Sequence, residues 1–290
     1  MELVLSTIIN SLSLGGTYAM IALGYTMVYG IAKMLNFAHG DIIMVGAYAI
    51  YVFMALNNPI LAVLFAVIFC MLLGILIERI AYRPLRGASP LAVLITAIGV
   101  SYLLQSLAQI IFGAAPKMVT VYDFGAIDFL GARLQISTLV TLVITFIIMV
   151  ALTLFVKLTR TGRAMIAVSE DRGAAQLMGI NVNRIITITF AIGSSLAALA
   201  GLFYLLMAPT VDSTLGAMPG IKAFTAAVIG GIGSIPGAML GGLLLGFVEC
   251  VAAKFPVIAP YTDAIEFSIL IVILLVRPTG FLGKKRREKV

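Results

Sequence analysis

The chain alternates long apolar runs with short polar breaks, and the breaks hold most of its ionisable residues. Apolar segments fall near 4–32, 40–56, 60–78, 90–112, 138–156, 185–208, 221–252 and 261–277. A bilayer core needs roughly 20 apolar residues in a helix. Continuous apolar character excludes a transmembrane β-barrel, whose strands of about 10 residues alternate in and out. The pattern predicts an all-α polytopic membrane protein, with about eight transmembrane helices if each run crosses once, built as a single transmembrane domain over 1–290. The opening MELVLSTIIN has no basic region and no small-residue cleavage site, and reads as an uncleaved first helix. The short loop at Asn57–Pro59 predicts an antiparallel hairpin of the second and third segments.

Two segments are interrupted. The stretch 4–56 is broken by KMLNFAHGD at Lys33–Asp41, and 221–252 is broken by GGIGSIPG at Gly230–Gly237. Pro236 lacks an N–H and is expected to interrupt the second of these helices. These breaks leave the number of crossings open. Broken helices in two halves of a chain point to a transport path, because irregular backbone at membrane depth survives only beside protein or a water-filled cavity. The path candidates are therefore Asn36, His39, Asp41, Gly230, Gly231, Gly233 and Pro236. Close packing is the competing role, since Gly237/Gly241 and Gly242/Gly246 have the GxxxG spacing that lets helices approach. For His39, a proton relay or ligand contact competes with a structural role in which Asn36 or Asp41 caps the next helix. Glu78 and Glu249 read as interface residues.

Composition narrows the class. Residues are 62% hydrophobic and 11% charged, against roughly 25% charged in soluble domains. The formal charge of +7 is concentrated in three clusters: Arg79, Arg83 and Arg86; Lys157, Arg160, Arg163, Arg172 and Arg184; and Arg277 with KKRREK at Lys284–Lys289. Short loops rich in Lys and Arg stay cytoplasmic. Asp123, Asp128, Asp212, Asp263 and Glu266 fall in the segments between, which places 113–137, 208–219 and 253–261 on the opposite side. The basic residues of the tail, 283–290, act as a topology anchor to a lipid bilayer, not as a nucleic-acid site.

Catalytic chemistry finds no support. Cys70 and Cys250 lie in apolar segments, and one histidine without companion ligands makes no metal site. There is no GxxxxGK(S/T) phosphate loop, no HExxH and no GxSxG, and the glycines of GGIGSIPG follow no strand. No cofactor is expected, and the chain is not read as an enzyme. Uphill movement of a cargo would draw its energy from a partner or an ion gradient.

The loop 157–184 carries SEDRGAAQLMGI at Ser169–Ile180, a soluble-looking helix between two apolar segments. Basic flanks place it in the cytoplasm. Ser169 is the expected N-cap, with Glu170 and Asp171 in the first turn where they suit the helix dipole, and Gly179 is the expected stop. An exposed apolar face with no domain to cover it asks for another protein.

Glu170, Ala174, Ala175 and Gly179 resemble the cytoplasmic coupling loop of ABC-importer permeases, although Glu170 is separated from the alanines. The stretch GGTYAMIALGYTMVYGIAKMLNFAHGDIIMVGAY at Gly15–Tyr48 resembles the opening of the branched-chain amino acid permeases of the LivH type. The similarity continues through ERIAYRPLRG (Glu78–Gly87), FTAAVIGGIGSIPGAMLGG (Phe224–Gly242) and RPTGFLG (Arg277–Gly283), and so spans essentially the whole chain. The resemblance implies a transmembrane subunit of an ABC importer in a bacterial inner membrane. It implies a second, LivM-type permease, two ABC ATPase subunits and a periplasmic substrate-binding protein as partners. Glu170, Asp171, Ala174, Ala175, Leu177 and Gly179 are then the expected coupling residues. Urea, short amides or other amino acids are alternative cargoes, and a stand-alone secondary transporter or channel with His39 and Asp41 in an ion relay is the alternative from another class.

Overall fold

A computed structural model describes residues 2–119, 121, 125–129 and 132–283. Asp123 and the basic tail from 284 onward fall outside the described residues. Eleven α-helices are present among those described: α1 (Glu2–Ala32), α2 (His39–Phe53), α3 (Pro59–Ile77), α4 (Pro90–Phe112), α5 (Ile136–Leu158), α6 (Arg160–Glu170), α7 (Arg172–Leu177), α8 (Val182–Met207), α9 (Ala217–Gly230), α10 (Ile235–Ala252) and α11 (Thr262–Val276). Seven helical stretches are long and apolar enough to cross a membrane, from His39–Leu56 through Ala259–Val276. The 31-residue α1 runs about 46 Å and has the length to cross as well. The protein is an all-α polytopic membrane protein.

Local chemistry sets the helix starts. Asn57 adopts a left-handed φ of 55° to turn the α2–α3 hairpin, and Asn58 accepts from the N–H groups of Ile60 and Leu61, with Pro59 opening α3. Ser89, Thr159, Asp171, Asn181 and Ser234 cap α4, α6, α7, α8 and α10 through side-chain oxygens. Such caps satisfy N–H groups that a first helical turn otherwise leaves unpaired.

The helices sort into an inner and an outer set. α1 lies along α10, α8, α9 and α5, while α2 packs on α8 and α3. Two-thirds of the α8 stretch is buried (67%), against 6% of Ala259–Val276. The outer helices α3, α4, α5 and α11 present Leu64, Leu72, Ile95, Ile110, Val143, Phe146 and Leu275 outward. An apolar surface of this extent needs lipid or another subunit to cover it.

Small residues hold the inner set together. A β-carbon on Gly15 would lie 2.8 Å from the Leu243 Cα, and one on Gly46 would lie 2.8 Å from the Ala198 Cα. Gly237 and Gly241 face α9, at Gly230 and Ala226, while Gly242 and Gly246 face α1, at Ala19 and Gly15. The GxxxG spacings are thus packing surfaces on two sides of α10. Without a strong hydrophobic drive between helices in lipid, such close approach supplies the attraction.

Both interruptions exist, and one differs in cause from the expectation. The second break is made by Gly231 and Gly233, whose φ values are +102° and +93°. A side chain is strained in this region, and the turn needs glycine. Pro236 instead lies in the first turn of α10 behind the Ser234 cap, where its missing N–H costs nothing. Two short antiparallel ladders, β1 (Lys117–Met118) with β4 (Thr210–Val211) and β2 (Ala126–Phe129) with β3 (Ala132–Gln135), pack against the helices, β4 on α2 and β3 on α1 and α5.

Candidate functional site

Three constructions hold the polar chemistry. The first is a helical bracket, α6–α7, at the end of the bundle that carries the basic clusters. Thr159 donates to the Phe155 carbonyl (2.7 Å) and accepts from the Gly162 N–H (2.9 Å), which turns the chain sharply out of α5. Met165, Val168 and Ala175 are buried and anchor the bracket, whereas Leu177 and Met178 are 90% and 81% exposed. Gly179, at φ +80°, closes α7. Its N–H bonds the Gln176 carbonyl and the Ile180 N–H bonds the Ala175 carbonyl; this is the Schellman arrangement, which favours glycine.

The expected stop at Gly179 holds, and the expected cap does not. Ser169 lies in the last turn of α6 and donates to the Ile166 carbonyl. The N-cap of α7 is Asp171, which accepts from the Ala174 N–H at 3.0 Å. Glu170 ends α6 on the surface and Ala174 is exposed. Of the expected coupling residues, Leu177 is the one whose side chain projects furthest, while Ala175 serves the interior.

Arg172 ties the bracket to the bundle by donating to the Ala32 carbonyl at the end of α1. A cation at a helix C-terminus is favoured by the helix dipole. Partial burial, and after it the neighbouring Arg86, lower the Arg172 pKa from its ordinary value. Arg86 in turn bonds Glu78 and Asn183. The Glu78 side chain is fully buried and accepts from Thr187 Oγ1 at 2.7 Å. Glu78 is therefore an internal tie among the α3 extension, the 83–86 turn and α8. Between the two arginines lies a cavity of about 540 Å³, lined by Arg86, Arg172, Gln176, Asn181, Asn183 and Ile186 among others.

The second construction is the meeting of two helix N-termini. α2 and α9 start inside the protein, at Ala38 and Gly216, without side-chain caps. Their first turns touch: a β-carbon on Gly40 would lie 2.5 Å from the Gly216 carbonyl oxygen, and one on Gly220 would lie 2.8 Å from the Gly40 Cα. Neither Asn36 nor Asp41 caps α2, contrary to the capping expectation. Asn36 Oδ1 accepts from Tyr82 Oη at 2.7 Å, and Asp41 sits in the first turn, accepting from Gln105 at 2.8 Å. A carboxylate there suits the positive end of the helix. His39 is 1% exposed and lies edge-on to Tyr25, 4.7 Å between ring centres. Its Nε2 has no hydrogen-bond partner among the described residues. Gly230, Gly231 and Gly233 lie at the other break, against Gly237, Gly283 and Gly30 respectively. The path candidates thus form two groups that do not touch.

The third construction was not foreseen. Lys222 of α9 is buried and faces three carboxylates: Glu249 at 2.9 Å, Asp263 at 2.8 Å and Glu266 at 3.4 Å. Tyr18 donates to Glu249 at 2.7 Å, so the cluster joins α1, α9, α10 and α11. Glu249 and Glu266 are partners within this cluster. The signal was available, since Lys222 is the one basic residue between Arg184 and Lys254 and an ionisable group inside a spanning segment points to function or a buried partner.

Long apolar helices around two helix N-termini that meet inside the protein, with a helical bracket at one end, are the architecture of a multi-pass membrane permease. Comparison with known proteins makes this specific. Residues 7–274 match the family described as branched-chain amino acid transport system / permease component, and the chain belongs to that family. It is 44% identical to the high-affinity branched-chain amino acid transport system permease protein BraD of Pseudomonas aeruginosa, over 99% of this chain and 98% of that one. It is 42% identical to the corresponding LivH protein of Escherichia coli, over 99% and 97%. A probable branched-chain amino acid permease, LivH of Methanocaldococcus jannaschii, is 29% identical over 91% and 88%.

Proposed function

We propose that this chain is a transmembrane subunit of an ABC importer for branched-chain amino acids in a bacterial inner membrane. With a second permease it forms the path; two ATPase subunits engage the 157–184 bracket, and a periplasmic binding protein delivers the cargo. The carrying observation is the bracket itself, anchored by Met165, Val168 and Ala175 while it exposes Leu177 and Met178. Its basic flanks support a cytoplasmic position for this end, together with the turn 83–86 and the chain beyond Arg277. The likeness to BraD and LivH supports the cargo.

In this reading ATP-driven movement of the ATPases is passed from α7 to the end of α1 through Arg172, and into α8 through the chain that follows Gly179. The path is assigned to the seam between α2 and α9. Asp41 and the two helix N-termini are its polar elements, consistent with the use of such termini at transporter midplanes. Gly230, Gly231 and Gly233 serve helix packing and the turn, and Asn36 serves the bond to Tyr82.

The test is Leu177→Asp together with Met178→Asp in the whole importer. Insertion and thermal stability are expected to hold, while ATPase retention and uptake fall at least about tenfold, the equivalent of roughly 1.4 kcal/mol. Normal retention with normal uptake would remove the bracket from its assigned role. Uptake competition among leucine, isoleucine, valine, urea and acetamide tests the cargo separately.

A further inference from the structure

We infer that the cavity between Arg86 and Arg172 receives a carboxylate side chain from the ATPase subunit; this rests on the assignment of α6–α7 as the ATPase-facing bracket. The argument begins with charge. Among the described residues that line the cavity or bond its arginines, two guanidinium groups meet one carboxylate, Glu78. That carboxylate is fully buried and shared between Arg86 and Thr187. Asp171 directs a carboxylate oxygen to the Ala174 N–H at the start of α7. The Arg86 Nε is buried without a hydrogen-bond partner. Two close cations with incomplete pairing raise the local potential and favour an anion.

Shape and surroundings then select the occupant. Gln176, Asn181 and Asn183 add amide groups to the cavity wall. Guanidinium groups bind planar carboxylates through paired, charge-assisted hydrogen bonds. Gly179 is part of the lining, and the strongly exposed Leu177 and Met178 immediately precede it. The cavity is therefore continuous with the apolar tip assigned to the ATPase. A matching surface holds an apolar recess for that tip and an acidic side chain beside it.

Position gives the contact a further role. Arg172 already holds the Ala32 carbonyl at the end of α1, and Arg86 holds Glu78 and, through Asn183, the start of α8. A carboxylate entering between them draws on both arginines at once. It thereby links the ATPase to the inner helices α1 and α8 without passing through the apolar tip.

The experiment uses the complete importer, purified with its ATPases, and measures ATPase retention against NaCl concentration. Charge-dependent association weakens as salt screens it. Retention by the unaltered importer is expected to fall with salt. Arg172→Gln is expected to weaken it about tenfold at low salt and to flatten the salt response, and Arg172→Lys to keep part of both. Leu177→Asp weakens retention but leaves the salt response steep. Amide replacement of each acidic residue on the ATPase's permease-facing surface is expected to find one that reproduces Arg172→Gln with no added loss in the double variant.

Unchanged retention and salt response in Arg172→Gln, with Leu177→Asp weakened, overturns the carboxylate site and spares the bracket. If Leu177→Asp is also unchanged, the bracket assignment falls with it. Should Arg172→Gln fail to fold, the ATPase-side scan decides, and a scan with no effective acid overturns the proposal. Inorganic phosphate that binds the importer through Arg172 while leaving ATPase retention untouched overturns it in favour of a small-anion site.

Discussion

Two charged clusters lie at opposite ends of the inner helices and are built in opposite proportions. At the bracket end, Arg86 and Arg172 meet Glu78 beside an open cavity. Towards the other end, Lys222 meets Glu249, Asp263 and Glu266, with Asp263 half exposed and the lysine nearly covered. Both satisfy the rule that buried charge must be paired. The difference lies in what is left unpaired and where. The lysine cluster surrounds its one cation with three carboxylates, leaves the buried Glu266 oxygens without a hydrogen-bond partner among the described residues, and knots α9 to α10 and α11. The arginine cluster leaves donor capacity facing a cavity. A closed cluster fixes a helix in place, while an open one is suited to recognise something outside the chain.

The largest expected effect comes from breaking the closed cluster. Lys222→Met leaves three carboxylates without their cation, and loss of one partner of a buried pair costs about 3–5 kcal/mol. The yield of monodisperse protein and its Tm should fall sharply, with partial recovery in Lys222→Met/Glu266→Gln; an unchanged Tm would show that the cluster does not hold α9. Next is Glu78→Gln, which keeps hydrogen bonding but removes the charge facing Arg86. A loss of about 1.5–3 kcal/mol, the usual weight of a bond to a charged group, should appear in thermal unfolding, and a Tm equal to that of the unaltered chain would contradict the burial of this pair.

Asp41→Asn isolates the α2–α9 seam. Its hydrogen bond to Gln105 can persist while the charge at the α2 terminus is lost, worth about 0.3–1 kcal/mol in stability. A loss of uptake much larger than that, measured with radiolabelled leucine, supports the path role; a proportionate loss restricts Asp41 to the helix end. The smallest effect is expected at His39. His39→Gln should leave the pH profile of uptake unchanged, because the ring is buried edge-on to Tyr25 and its Nε2 has no hydrogen-bond partner among the described residues through which to pass a proton. Loss of a titration near the ordinary histidine range, about pH 6–7, would restore the relay.

Much of this was legible in the sequence because it depends on local rules. The hairpin at Asn57–Pro59, the bracket between basic flanks, the stop at Gly179 and the break after Gly230 follow from turn chemistry and run length. Errors arose where the answer depends on another helix. Ser169 and Asp171 are two residues apart and both are cap formers; the extension of α6 over Met165 and Val168, buried against the bundle, decides between them. The bonds of Glu78 and Glu249 to Arg86 and Lys222 were not legible because a linear pattern does not pair residues on different elements. Lys222 is an isolated cation in the sequence that was passed over, and its partners come from helices whose adjacency no local signal encodes. Pro236 was assigned the break that Gly231 and Gly233 make, since the preferred position of proline in a first turn is visible only once the turn is located.

The contact between Gly40 and Gly216 has a kinetic meaning. At this point the two backbones meet directly, with no space for a β-carbon on either residue, and Tyr25 and Phe224 pack beside the contact. A gate made of side chains opens by rotamer flips, on the ps–ns scale at exposed positions. Here two backbones must part, and shifts of whole helices belong to the slower μs–ms range. Any cargo crossing between α2 and α9 is therefore timed by helix displacement, a rate that an external machine can set.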